Sequence, residues 1–132
     1  MHQMINKLIT LLFRHRKPKI EKHNEVALMN FALDLAQEWG ADWLKPIQDR
    51  LCKAYPNFTR DELEKYNTIA QDAMQFGYDL VYSMVEQQGQ YIDEAQWKIE
   101  YLSRYPWVDD NNLKHLFSTG NYYAWKDGVG KE

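Results

Sequence analysis

Between Arg60 and Gln88 the chain runs without a proline, and its apolar positions recur in alternating steps of three and four: Leu63, Tyr66, Ala70, Ala73, Gly77, Leu80 and Met84. That period places them on one side of an α-helix, where residues three and four apart are neighbours. Ile69, Met74, Phe76, Val81 and Val85 widen the stripe, while Lys65, Thr68, Gln71, Asp72, Gln75, Asp79 and Glu86 mark a solvated face. A helix over this segment spans about 43 Å at 1.5 Å per residue. A compact chain of 132 residues has a diameter of only about 36 Å. The segment is therefore a spine for everything else, and it either projects or bends. Its middle, Ala70, Ala73 and Gly77, is made of small residues. Another helix can approach closely there, the spine can yield at Gly77, or the gap can hold a ligand or a partner's helix. Close packing within the chain is the simplest of these expectations.

Three helix starts, the spine's own among them, share one pattern. Phe58, Thr59, Glu62 and Leu63 place a capping residue between two apolar ones, with a polar residue at the third helical position. Ile92, Asp93, Gln96 and Trp97 repeat this, as do Val108, Asp109, Asn112 and Leu113. The capping oxygen accepts from an N–H of the first turn, and the apolar pair closes over the entry. Thr59 with Glu62 makes a full capping box, whereas Asn112 is too short to return the bond well. Helices are expected at 93–104 and 109–118, the second closed by Gly120, with one more turn over 121–126.

Upstream, a helix is expected from Asn24 as cap to Trp39, with Gly40 as its stop. Its apolar residues leave a narrow polar stripe of Asn30, Asp34, Gln37 and Glu38. A shorter helix is expected over 46–53, where Pro46 fits the first turn and Trp43, Leu44, Ile47 and Leu51 supply the core face. Pro56 ends it by restricting Tyr55. The stretch Leu51, Tyr55, Pro56, Phe58, Thr59, Leu63 is echoed loosely by Leu102, Tyr105, Pro106, Val108, Asp109, Leu113. The echo reads as one helix, proline turn, helix idiom used twice rather than a true repeat. The expected architecture is all-α and single-domain: an irregular bundle of five or six helices around the 60–88 spine.

The net charge of −3 is unevenly distributed. Residues 1–23 carry six basic side chains against one acidic, a net of +5, and residues 24–132 carry ten against eighteen, a net of −8. The organisation that follows is a basic amphipathic N-terminal helix or arm over 1–22 and a helical domain over 23–132. In the arm, Met4, Ile5, Leu8, Ile9, Leu11, Leu12 and Phe13 share a broad apolar helical face, followed by the basic run Arg14, Arg16, Lys17 and Lys19. Leu8 to Phe13 is too short an apolar core for a transmembrane helix, and the basic cluster follows it rather than precedes it, which disfavours a secretory signal. Two expectations remain for the arm: it packs on the acidic body, or residues 4–19 dock on a peripheral anionic membrane surface or a partner. Nucleic acid is a poor match for the acidic body, since a polyanion must be met by lysine and arginine.

Chemistry-bearing patterns are sparse. His2, His15, His23 and His115 lack the helical spacing of paired metal ligands, and Cys52 has no histidine near it in sequence, so a buried inert thiol and a reducing, cytoplasmic compartment are the simple readings. Carboxylate pairs such as Asp61 with Glu62 sit at helix starts, where the macrodipole favours them. No catalytic residue, cofactor site or metal site is assigned. The last third is crowded with Tyr91, Trp97, Tyr101, Tyr105, Trp107, Tyr122, Tyr123 and Trp125. Of these, Trp107, Tyr122, Tyr123 and Trp125 are expected to be exposed, because they fall in turns or the tail. The function these features imply is a non-enzymatic protein-interaction module, docking another protein or a second copy of itself through the basic arm (Arg14, Arg16, Lys17, Lys19) or the aromatic cluster. The alternatives are an enzyme assembled from distant groups such as Asp34, Asp72, Asp79 or Cys52, and a nucleic-acid accessory protein using the basic arm.

Overall fold

In the computed structural model, which describes residues 22–130, five helices and no strand are present among the described residues: α1 (Lys22–Ala36), α2 (Gln48–Ala54), α3 (Arg60–Gln88), α4 (Glu94–Arg104) and α5 (Asp110–Lys126). The basic arm lies outside the described residues, apart from Lys22. The fold is all-α with α3 as its long centre, and α1, α4 and α5 pack around it. Tyr66, Ala70, Ala73, Gly77 and Met84 of the three-and-four stripe are buried, with Met74, Tyr78, Val81 and Val85 widening it.

The small-residue middle of α3 is filled from within the chain. Trp97 of α4 donates its Nε1–H to the Gly77 carbonyl at 3.2 Å, and the Tyr101 hydroxyl donates to the Ala73 carbonyl at 2.9 Å. The two rings stack 5.0 Å apart and are among the most buried side chains of the domain. A Cβ on Gly77 would stand 3.2 Å from Tyr101 and 3.4 Å from Leu116 of α5, so the missing side chain is what lets both helices approach. Gly120 plays the same part from the other side. The sequence suggested it as a helix stop, but α5 continues through it to Lys126. A Cβ there would fall 2.9 Å from Cγ2 of Val81. Gly120 is a contact point of α5 on α3 because close approach, not a left-handed turn, is what the position requires.

All three expected caps form. The Thr59 side chain accepts from Glu62 N and the Glu62 carboxylate accepts from Thr59 N. Asp93 accepts from Ala95 N and Asp109 from Asn112 N. The proline turn does recur: Tyr55 (φ −129°, ψ 71°) and Tyr105 (φ −124°, ψ 69°) close α2 and α4 with nearly identical backbone geometry. In each, the tyrosine carbonyl accepts from the N–H three residues later, Phe58 or Val108.

The N-terminal half differs from the sequence expectation in three ways. Asn24 lies inside α1 rather than capping it, and α1 ends at Ala36, before Trp39 and Gly40. The second helix starts two residues later than expected, and of its supposed core face only Ile47 and Leu51 are buried, while Leu44 is exposed. Two members of the polar stripe, Asn30 and Gln37, are buried with Asn112. Asn30 donates to the carbonyls of Val26 (3.0 Å) and Trp107 (2.8 Å) and accepts from Asp109 N (2.8 Å) and Asn112 Nδ2 (3.1 Å). Asn112 also donates to Asn30 O and accepts from Gln37 Nε2 at 2.8 Å. Asn112 therefore does not return a capping bond; its amide belongs to a network that joins α1 to the start of α5. Gln37 Oε1 is the one buried side-chain acceptor in the described residues without a partner.

Candidate functional site

Arginine 50 sets the geometry of one end of the bundle. Its Nη1 donates to the Leu35 carbonyl (2.6 Å) and to Glu38 (2.9 Å), and its Nη2 to the carbonyls of Lys45 (3.1 Å) and Pro46 (3.3 Å). A cation at a helix C-terminus satisfies carbonyls that have no intrahelical donor. Here it also pins the segment between α1 and α2, so residues 37–46 fold back over the end of α5. Leu44, at φ 61°, holds a left-handed conformation in that segment, which costs a non-glycine residue on the order of 1 kcal/mol.

Pinned this way, the segment carries two tryptophans onto α5. Trp39 and Trp43 are near parallel at 5.7 Å, and Tyr123 stacks on both, 6.0 Å from Trp39 and 5.4 Å from Trp43. Tyr122 meets Tyr123 edge-on at 5.4 Å and tilts against Trp125 at 6.2 Å. Five rings thus form a continuous ledge. Trp39, Tyr122 and Trp125 are 55%, 46% and 56% exposed, and Leu44 beside them 54%. The Trp39 indole N–H donates to Nε2 of His115 at 3.3 Å.

At the foot of the ledge lies a groove of about 350 Å³, walled by Trp43, Tyr78, Tyr82 and Tyr123, with Leu44 at its rim and Gln75 and Asp79 as its polar lining. Tyr78 meets Tyr123 at 64°, so the stacked Trp43 and Tyr123 pair and the Tyr78 ring make two walls of one corner. Gln75 Nε2 donates to Asp79 Oδ1 at 2.8 Å, and the Tyr82 hydroxyl donates to Asp127 at 2.5 Å.

Burial pushes the Tyr78 phenol up to about 12, with the neighbouring Tyr123 adding to it. Tyr82 is likewise pushed up to about 12, first by burial, then by the hydrogen bond to Asp127 and the charges of Asp127 and Tyr123. Both phenols are neutral at any ordinary pH. Between their unfolded value of 10.0 and about 12, the folded chain keeps protons that the unfolded chain releases, so stability falls as pH rises. Urea unfolding at stepped alkaline pH should show the free energy declining from pH 10 upward, with phenolate absorbance in the native protein lagging that of the unfolded chain. Equal tyrosine titration in both states would show that this groove is open to water.

Of the residues singled out from sequence, the structure brings Tyr122, Tyr123 and Trp125 together on α5, inside a helix rather than a tail. Tyr123 is half-buried in the stack, not exposed. Trp107 is elsewhere, half-buried in the turn between α4 and α5, edge-on to Tyr105 at 6.2 Å and with its carbonyl held by Asn30. Arg14, Arg16, Lys17 and Lys19 fall outside the described residues. Sequence reasoning missed Trp39, Trp43, Leu44, Tyr78 and Tyr82 as parts of this site, having assigned the two tryptophans to helical core faces. The available signal was the run from Gly40 to Pro46, whose glycine and proline mark a connection that lifts Trp43 out of any helix.

Asp34, Asp72 and Asp79, named as possible parts of a distant-residue active site, are all exposed, and Cys52 is half-buried on α2. Among the described residues no group of three His, Cys, Asp or Glu side chains is arranged to hold a metal ion, and no helix is long and apolar enough to cross a membrane. No protein-family model matches the chain, and neither curated proteins nor solved structures include a significant match to it.

Proposed function

We propose that this protein is a non-enzymatic interaction module that binds a partner protein across the Trp39, Trp43, Tyr123, Tyr122, Trp125 ledge. The observation that carries this reading is the continuity of the rings, three of them about half exposed. Tyrosine and tryptophan supply large, rigid contact area with a polar tip, and they dominate the energetics of protein interfaces. A rim composed only of solvated core residues has no need to join five of them in one continuous surface. The partner's face should be basic, because Asp79 lines the groove beside the ledge, Asp127 bonds Tyr82 there, and the chain from residue 24 onward carries a net −8. A cytoplasmic setting fits the single cysteine.

The test is chemical cross-linking and capture with the tagged full chain, compared with a Tyr122→Ala/Trp125→Ala variant and with an Arg14→Glu/Arg16→Glu variant. Both altered residues of the first variant lie on the exposed face of α5, so its circular dichroism and unfolding midpoint should stay close to wild type. The reading expects one protein, or a second copy of the chain, to be captured by wild type and lost with the aromatic variant. A partner lost only with the arginine variant assigns docking to the basic arm instead, and a partner retained by both removes the ledge from the function.

A further inference from the structure

The groove below the ledge has a more specific chemistry than the ledge itself. Its walls are aromatic faces, whose quadrupole is negative, and its one formally charged lining residue is Asp79. Its internal hydrogen bonds leave carboxylate and amide oxygens over as acceptors. Gln75 spends an N–H on Asp79 Oδ1, which leaves Gln75 Oε1 and Asp79 Oδ2 facing no protein donor among the described residues, and the Tyr82 proton is spent on Asp127. An anion would meet the Asp79 carboxylate and the negative faces of the rings there. A planar cation would find a flat surface to stack on and two oxygens to receive its N–H groups, the match guanidinium makes and a compact ammonium does not.

We infer that the groove walled by Trp43, Tyr78, Tyr82 and Tyr123 receives an arginine side chain of the partner protein, its guanidinium stacked on the Trp43 and Tyr123 wall and hydrogen-bonded to Asp79 and Gln75. This inference rests on the interaction reading and gives the partner's anchoring residue. The exposed Trp39, Tyr122 and Trp125 then cover the segment flanking that arginine, while Leu44 closes the rim.

The experiment uses the full chain and three short glycine- and serine-flanked peptides that differ at one central residue: arginine, citrulline or lysine. Citrulline keeps the shape of arginine and removes its charge. Binding is followed by the indole N–H resonance of Trp43 in a titration monitored by nuclear magnetic resonance. The arginine peptide should move that resonance saturably and bind about tenfold more tightly than the citrulline peptide, the range of a desolvated cation over an aromatic face. Asp79→Asn, an exposed and isosteric change, should weaken the arginine peptide about threefold, as expected for an exposed charge pair, while leaving the unfolding midpoint in place. Citrulline binding as tightly as arginine overturns the cation assignment, and lysine binding as tightly as arginine overturns the guanidinium assignment. Shifts that bypass Trp43 overturn the groove itself. Loss of the captured partner in Tyr122→Ala/Trp125→Ala, with peptides indistinguishable, would mean that the interaction reading stands and only this inference fails.

Discussion

Replacing Trp97 by alanine is expected to destabilise the domain by about 3–5 kcal/mol, the cost typical of deleting a fully buried large aromatic. That is a large share of the about 5–15 kcal/mol that holds a domain together, and the thermal midpoint should fall by more than about 10 °C. The residue is 1% exposed. Its ring stacks on Tyr101 at 5.0 Å, tilts against Phe117 at 5.3 Å and bonds the Gly77 carbonyl. Alanine would leave a void in the notch where α4 and α5 both meet α3. Trp97→Phe keeps the ring contact, loses the N–H and part of the volume, and should cost about 1–2 kcal/mol. Urea denaturation followed by helical circular dichroism measures both. A loss below about 1 kcal/mol for the alanine variant, well short of the usual cavity cost, would mean that α4 is not seated in the Gly77 notch.

Asn30→Leu should also be damaging, at about 2 kcal/mol, because the half-buried and buried groups around it lose their side-chain partner. The substitution strips Asp109 N and the Trp107 carbonyl of their side-chain partner and takes one acceptor from the buried Asn112 amide. The comparison that isolates the cause is Asp34→Ala, one turn along the same helix. Asp34 is exposed, so its removal should change stability by no more than about 0.5 kcal/mol. Similar effects for the two variants would show that the Asn30, Asn112 and Gln37 network is not formed in solution. A destabilised Asn30→Leu whose α5 amides exchange faster than those of α4 would locate the loss where the network joins α1 to α5.

Local chemistry made much of the fold legible. The three-and-four recurrence from Leu63 to Met84 depends only on 3.6 residues per turn, so it marked the spine and its buried side without knowledge of what packs there. The caps at Thr59, Asp93 and Asp109 were legible for a related reason: the donor and acceptor lie within three residues of each other. The two proline turns follow from the restriction a proline places on the residue before it, which Tyr55 and Tyr105 obey alike.

What the neighbours in space decide was not legible. Asn30 and Asp34 look equivalent in the sequence, yet one is bonded across 79 positions to Asp109 and the other faces water. Gly120 resembles a helix stop until Val81 is seen 2.9 Å from where its Cβ would be. The aromatic ledge belongs wholly to this second category. Tyr122, Tyr123 and Trp125 were visible as a cluster, but Trp39 and Trp43 join them only because Arg50 ties the chain after α1 back over the end of α5. Helical periodicity is a property of a chain's own backbone and can be read from residues a few places apart. Which polar group is buried, which glycine is a contact and which rings share a surface depend on pairs brought together by packing, and no local spacing encodes those.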